Sequence, residues 1–422
     1  MTKDTINKDI SCMDDFDPES ILPEQALDKI FSTLTSISET EFVPIREALG
    51  RVLAEDIHSK INVPSGRNSA MDGYAMSAED LPSDGVCKLR LIGTSFAGKP
   101  YSGNLKAGEC VRIMTGAIMP NGSDTVVIQE NTEVNDKTIS IGVDTKPGDN
   151  VRQAGEDLAI GDLVLEKGMR LTPADIGLLA SLGFAKTEVC RRLKVAFFST
   201  GDELRSVGED LEDGMIYDSN RYTLFGMLAR LNVDIIDMGV VKDDRTLMDN
   251  AFKEAAGNVD VLITSGGVSV GEADYVKETL IKHGEVNFWK VAMKPGRPLT
   301  FGKLDSTYFF GLPGNPVSVM VTFYQFVQPA LKRLSGENIT MPVTMKVPCI
   351  STLKKRPGRV EYQRGVLEQD ESGLMVVRKT GAQGSGILRS MADANCFIVL
   401  PIDSEGVRKN DIVDVQPFHG II

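Results

Sequence analysis

Residues 264–274, TSGGVSVGEAD, set a glycine-rich loop directly before two carboxylates, Glu272 and Asp274. Ser265, Gly266, Gly267, Ser269 and Gly271 leave backbone N–H groups open to an anion, and the helix expected to begin near Ala273 adds its N-terminal dipole. The spacing fits neither GxxxxGK[ST] nor GxGxxG, so nucleotide hydrolysis of the P-loop kind is excluded. A first-turn residue favoured by the helix dipole explains one of the two acids comfortably. Two further carboxylates follow other apolar segments: Glu203 in TGDELR (200–205) and Asp243 in KDD (242–244). Several carboxylates beside phosphate oxygens form a typical Mg²⁺ environment, because the ion neutralises both and bridges them.

The opposite charge comes from VNFWKVAMKPGRPLTF (286–301). Read as a strand, it sets Lys290 and Lys294 on one face with Phe288 and Ala292, and Arg297 follows a Pro-Gly turn. Such a cluster either balances surface charge or, beside a phosphate cradle, forms an oxyanion pocket. LPGNPVS (312–318) opens a helix with Pro316 and Ser318 in its first turn, a second N–H-rich end. Asp72 in NSAMDGYAM (68–76) and Thr115 in RIMTGAIMP (112–120) read as turn residues on composition alone.

The elements that must position these residues alternate. Between 193 and 335, LKVAFFST, SNRYTLFGMLARL, VDIIDMGVV, RTLMDNAFKEAA and DVLITSGG read strand, helix, strand, helix, strand. That pattern predicts a doubly wound sheet whose ligand loops lie beyond the carboxyl ends of the strands. Residues 61–156 and the chain from 339 onward carry short β-forming runs between Gly, Asn and Asp turns. Residues 20–60 read as helical, and 172–192 as a helix with a Thr cap and Pro in its first turn. The expected organisation is therefore an α/β multidomain chain. A discontinuous helical or mixed domain (20–60 and 157–190) and a small β domain (61–156) precede a central doubly wound α/β domain (191–336), and a second small β domain (339–422) follows it.

Composition narrows the function classes. A net charge of -13 over 422 residues argues against a nucleic-acid partner, which leaves a basic stripe somewhere in the chain. The first 20 residues lack the apolar core of a signal peptide, and the apolar run at 317–327 is too short to span a bilayer, so a cytoplasmic protein without a membrane partner is expected. Six scattered cysteines and three histidines make a zinc or iron–sulfur site improbable, and any metal must be held by oxygen.

Taken in order, NSAMDGYAM, RIMTGA, GEDLAIG, FSTGDEL, IYDSNR, TSGGVSVGEAD, FWKVAMKPGRP and GLPGNPVS resemble the molybdopterin molybdenumtransferase family, the bacterial MoeA proteins and the E domain of gephyrin. The resemblance runs from about residue 22 to 420. It implies a central α/β domain of the molybdopterin-binding type in an elongated L-shaped subunit, and a homodimer with an active site shared between subunits. It also implies Mg²⁺-dependent insertion of molybdate into adenylylated molybdopterin with release of AMP, and transient contact with a molybdopterin adenylyltransferase.

By that resemblance the catalytic set is Asp72, Thr115, Asp157, Glu203, Asp243 and Asp274, with Glu203, Asp243 and Asp274 at the metal. The substrate-binding set is Ser265, Gly266, Gly267, Ser269, Lys290, Lys294, Arg297, Pro313, Gly314, Pro316, Ser318, Arg364 and Ser385, with Ser390 the alternative to Ser385. Family members often carry Lys where Arg297 stands. A molybdopterin adenylyltransferase is the rival enzyme reading, though it would need little beyond 188–335. A scaffold that has lost its chemistry is the reading of another class.

Overall fold

The structure of the chain, a computed structural model, describes residues 20–266, 284–339 and 342–418. Its central sheet has six strands in the order Asp234–Val241, Lys194–Thr200, Val261–Ser265, Thr307–Leu312, Pro298–Leu304, Gly284–Lys290. The first four are parallel and the last two antiparallel. From Lys194–Thr200 the chain moves outward to Asp234–Val241, then returns to the other side at Val261–Ser265. The strand order reverses there, which opens a crevice beyond the carboxyl ends of Lys194–Thr200 and Val261–Ser265.

Alternation along the buried strands feeds two helical layers. Val195, Phe197, Ile263 and Phe310 share a core with Leu224, Met227 and Leu228 of the helix Ser219–Ala229 and with the helical run from Pro316 to Leu334. Ala196, Phe198, Leu262 and Phe309 face the other way, onto Met248, Ala251, Phe252 and Ala255 of the helix Arg245–Ala255. Phe252 sits edge-on to Phe198, ring centroids 5.8 Å apart, and tilted against Phe309 at 5.5 Å. Both faces of the sheet are thus covered, as a parallel sheet requires.

Three expectations need correction. The helix Pro23–Thr33 is the one α-helix between 20 and 60, and its Ala26 and Ile30 pack into the central core rather than into the discontinuous domain. The rest of that stretch is extended or 3₁₀, because its partners are distant: Thr40–Pro44 pairs with Lys186–Cys190, and Ile57–His58 with Leu163–Leu165. The helix expected over 172–192 stops at Ser181, short of Gly183, so 186–190 serves as that strand. The single strand expected through 290–294 is broken. Gly284–Lys290 stays in the central sheet, while Met293–Lys294 joins Val360–Glu361 of the C-terminal sheet. Lys290 and Lys294 therefore belong to different sheets.

The N-terminal six-stranded sheet, ordered Thr125–Ile128, Gly73–Met76, Glu109–Ile113, Cys87–Ser95, Thr138–Ile141, Thr132–Asn135, holds Asp72 and Thr115 at strand ends. Gly73 is required by close approach, since a Cβ there would fall 2.0 Å from the Val127 carbonyl oxygen. The C-terminal sheet is built on Val360–Gln369, Cys396–Leu400 and Ile412–Pro417, and it presents Arg364. Five described cysteines are free thiols, and burial pushes those of Cys110 and Cys396 up to about 12, as for small packed apolar groups. Among the described residues no helix is long and apolar enough to cross a membrane.

Candidate active site

At the reversal point of the central sheet lies a cleft of about 730 Å³. Every parallel strand contributes its following loop: Thr200, Gly201 and Glu203; Asp243; Ser265 and Gly266; Pro313, Gly314, Asn315 and Pro316. The C-terminal domain adds Gly386 and Leu388. Glu203, Asp243, Ser265, Gly266, Pro313, Gly314 and Pro316 are thus brought together. Gly267, Ser269 and Asp274 lie outside the described residues.

Asp243 and Asp244 divide two tasks. Asp244 caps the helix Arg245–Ala255, accepting the N–H groups of Thr246 and Leu247 at 2.9 Å each. Asp243 instead lines the cleft, where the Thr200 hydroxyl donates to its carboxylate. Gly266 stands at φ +92°, and a Cβ on it would fall 2.5 Å from the Thr200 carbonyl oxygen. Its N–H donates to Leu312 O at 3.1 Å, which seats the 265–266 loop beside the 313–316 loop.

Three further polar residues, Asp218, Ser219 and Asn220 of IYDSNR, line the cleft without a local sequence signal of a site. Asp218 caps the helix Ser219–Ala229 through Oδ1, which accepts the Arg221 N–H at 3.1 Å, while its buried Oδ2 has no hydrogen-bond partner among the described residues. The lining carboxylates Glu203 and Asp243 offer only oxygen donors, which suit a hard divalent cation such as Mg²⁺. Among the described residues no three His, Cys, Asp or Glu side chains converge as a metal cage. Mg²⁺ does not need one, because it usually takes one or two carboxylates together with substrate phosphates.

None of the cationic candidates is among the residues that line this cleft. Lys294 donates to Glu361, Nζ to Oε1 2.9 Å, and Glu361 is braced by the Gln363 amide at 2.9 Å. Lys290 is exposed at the end of its strand, Arg297 precedes the lining residue Pro298, and Ser318 is buried in the helix opened by Pro316. Arg364 is 1% exposed, donates from Nε to Ser390 Oγ (3.1 Å) and from Nη2 to Gly384 O (3.1 Å), and burial pulls its guanidinium down to about 10. The Ser390 hydroxyl also donates to Ile387 O at 2.7 Å, so it is spent inside the C-terminal domain. Ser385 adjoins Gly386 of the cleft, and its carbonyl accepts the Val317 N–H at 3.0 Å.

Asp72, Thr115 and Asp157 are not in the lining of the cleft. Thr115 donates both its N–H (2.7 Å) and its hydroxyl (2.8 Å) to Asp72 Oδ1. These bonds, helped by the nearby Arg112 charge, hold the exposed Asp72 carboxyl below the usual carboxylate range. Thr115→Val removes the hydroxyl donor and should move the Asp72 titration, followed by NMR, upward. An unchanged midpoint would show that the backbone bond alone sets it. Asp157 is also exposed, its N–H donating to Val63 O at 3.0 Å.

Three family patterns match the chain in order: MoeA N-terminal region (domain I and II) over 21–183, probable molybdopterin binding domain over 196–333, and MoeA C-terminal region (domain IV) over 346–418. A protein of Haemophilus influenzae named molybdopterin molybdenumtransferase is 45% identical over 94% of this chain and 99% of its own length. Gephyrin of Dictyostelium discoideum is 36% identical over 89% of this chain and 59% of its own. The crystal structure of a molybdopterin biosynthesis moeA protein from Pyrococcus horikoshii superposes with a TM-score of 0.82 at 30% identity, covering 94% of this chain and all of that one.

Proposed function

The chain belongs to the molybdopterin molybdenumtransferase (MoeA) family, enzymes of molybdenum cofactor biosynthesis, and from that premise we propose that it inserts molybdate into adenylylated molybdopterin and releases AMP with Mg²⁺. The observation that carries the reading is one cleft lined by Glu203, Asp218 and Asp243 and by the 265–266 and 313–316 loops. Carboxylates alone would repel a pyrophosphate linkage. Mg²⁺, when bound, neutralises phosphate charge and lets both groups share the site. Glu203 and Asp243 would hold it, with Asp274 as the third candidate.

The chain's own residues then do the positioning, which is where most of the catalytic power of phosphoryl chemistry lies. Gly266 lets backbone come close to the phosphates, and the Thr200 hydroxyl holds the Asp243 carboxylate in place. Lys294, Arg297, Ser318, Arg364 and Ser385 are the proposed oxyanion contacts for molybdate, and Lys290 is a proposed substrate contact. Asp72, Thr115 and Asp157, exposed and outside the lining of this cleft, support a homodimer in which they complete the partner's site. A cytoplasmic location and a passing contact with the adenylyltransferase that supplies the substrate belong to the same proposal.

The test is AMP release by the purified protein from adenylylated molybdopterin, with molybdate and Mg²⁺ each added or withheld. Both are expected to be required, and Asp243→Asn should raise the Mg²⁺ needed for half-maximal rate at least ~10-fold. Release that ignores Mg²⁺, or consumption of ATP with molybdopterin, would overturn the proposal, the second outcome favouring the adenylyltransferase reading.

A further inference from the structure

Asn220 is the second residue of the helix Ser219–Ala229, and both hydrogens of its side-chain amide are spoken for. Nδ2 donates to Ser265 Oγ at 2.9 Å and to Gly314 O at 2.7 Å. Gly314 O can only accept, so the amide nitrogen must face it and the side-chain orientation is determined. One side chain thereby ties the helix start, the end of the strand Val261–Ser265 and the loop before the helix Pro316–Thr322, three elements that meet at the cleft. Oδ1 is buried without a partner among the described residues, a cost the fold carries to keep the amide turned this way.

We propose that Asn220 is a positioning residue, which fixes the distance between the 265–266 and 313–316 loops and turns the Ser265 hydroxyl into a donor. A serine oxygen that accepts from Asn220 keeps its own proton for another acceptor. Ser265 is 2% exposed and lines the cleft, so that proton serves an anionic ligand oxygen there. Asp218 sets the arrangement up. Its Oδ1 starts the helix at Ser219, which brings Asn220 over the two loops. The inference rests on the proposed phosphate-binding role of this cleft and adds a residue that touches neither metal nor molybdate.

Asn220→Asp separates positioning from mere packing. Asp is isosteric and favoured in the first turn of a helix, so a packing role predicts normal turnover. Under the proposal, its carboxylate faces the Gly314 carbonyl and draws the Ser265 proton away from the cleft. Molybdate-dependent AMP release should fall about 100-fold in both Asn220→Ala and Asn220→Asp, in kcat, with KM for molybdate changed less than about 2-fold. Adding Ser265→Ala to Asn220→Ala should cost little more, because the serine acts through the asparagine.

Amide hydrogen exchange supplies a readout independent of the reaction. The Gly266 N–H should exchange at least ~10-fold faster in Asn220→Ala while the strand Lys194–Thr200 stays protected. Wild-type turnover in Asn220→Asp, multiplying effects in the double variant, or unchanged Gly266 exchange would each overturn the proposal. If the wild-type protein releases no AMP, the reading of the reaction fails, and the exchange experiment still decides the role of Asn220.

Discussion

Gly266→Ala should lower turnover at least ~100-fold although it adds a single methyl group. The position has φ +92°, where any L side chain is strained, and the new Cβ would fall 2.5 Å from the Thr200 carbonyl oxygen. That oxygen is backbone at the end of a parallel strand buried from Val195 to Thr200, so it has no rotamer to yield with. Strain and overpacking together cost about 2–5 kcal/mol. Relief can come only from moving the 265–266 loop away from Thr200, and the movement separates Ser265 from Asn220 and disturbs Asp243, which the Thr200 hydroxyl holds. Gly314→Ala is the control. A Cβ there meets nothing nearer than the Gly266 Cα at 3.9 Å, and stability should stay within about 0.5 kcal/mol. Thermal unfolding of the two variants and steady-state turnover of Gly266→Ala decide the matter: equal stability of both, or wild-type turnover of Gly266→Ala, would remove the claim that this contact shapes the site.

The contrast between these glycines marks what the sequence can and cannot reveal. The alternation of apolar strands and amphipathic helices from 193 to 335 is local, and it was enough to predict a doubly wound sheet with polar loops at one edge. Partners far apart in the chain were not legible. Thr40–Pro44 has no helical or strand pattern that names Lys186–Cys190 as its neighbour, so the stretch reads as helix until the pairing is seen. Lys290 and Lys294 satisfy strand alternation, yet the ladder passes to another sheet between them.

The same limit governs the site. DSN before a helix is fully explained by Asp218 as a cap, which hides Asn220, whose two acceptors lie 45 and 94 residues away. Asp72 and Thr115, read as separate turns, are one hydrogen-bonded pair across 43 residues. A turn motif shows which backbone groups are free, but not which distant side chain will claim them.

Arg364→Met should separate stability from activity most sharply. The guanidinium is almost wholly inaccessible, and burial lowers it to about 10 against the opposing pull of the Glu361 charge; its hydrogen-bond partners among the described residues are a hydroxyl and a carbonyl. For a cation whose folded value is depressed, the sign is unfavourable. The folded state bears the desolvation cost at every pH below about 10 and loses it only as the pH rises through that value toward the ordinary arginine range. Methionine fills similar volume without the charge. Ser390 keeps its bond to Ile387 O, and the exposed Gly384 can give its carbonyl to water, so no new buried polar group is orphaned. Replacing buried charge in this way is commonly neutral or stabilising by about 1–4 kcal/mol. The unfolding temperature should therefore hold or rise. Molybdate-dependent turnover should fall at least ~100-fold, since the cation is a proposed oxyanion contact two residues from Gly386 through its bond to Gly384, and a preorganised charge in a water-poor site is worth about that much. Arg364→Lys should not restore it, because a point charge cannot serve Ser390 and Gly384 from the planar fork they now share. A variant that unfolds early would show that Arg364 holds the 383–390 segment together, and one that is stable and fully active would remove it from the site.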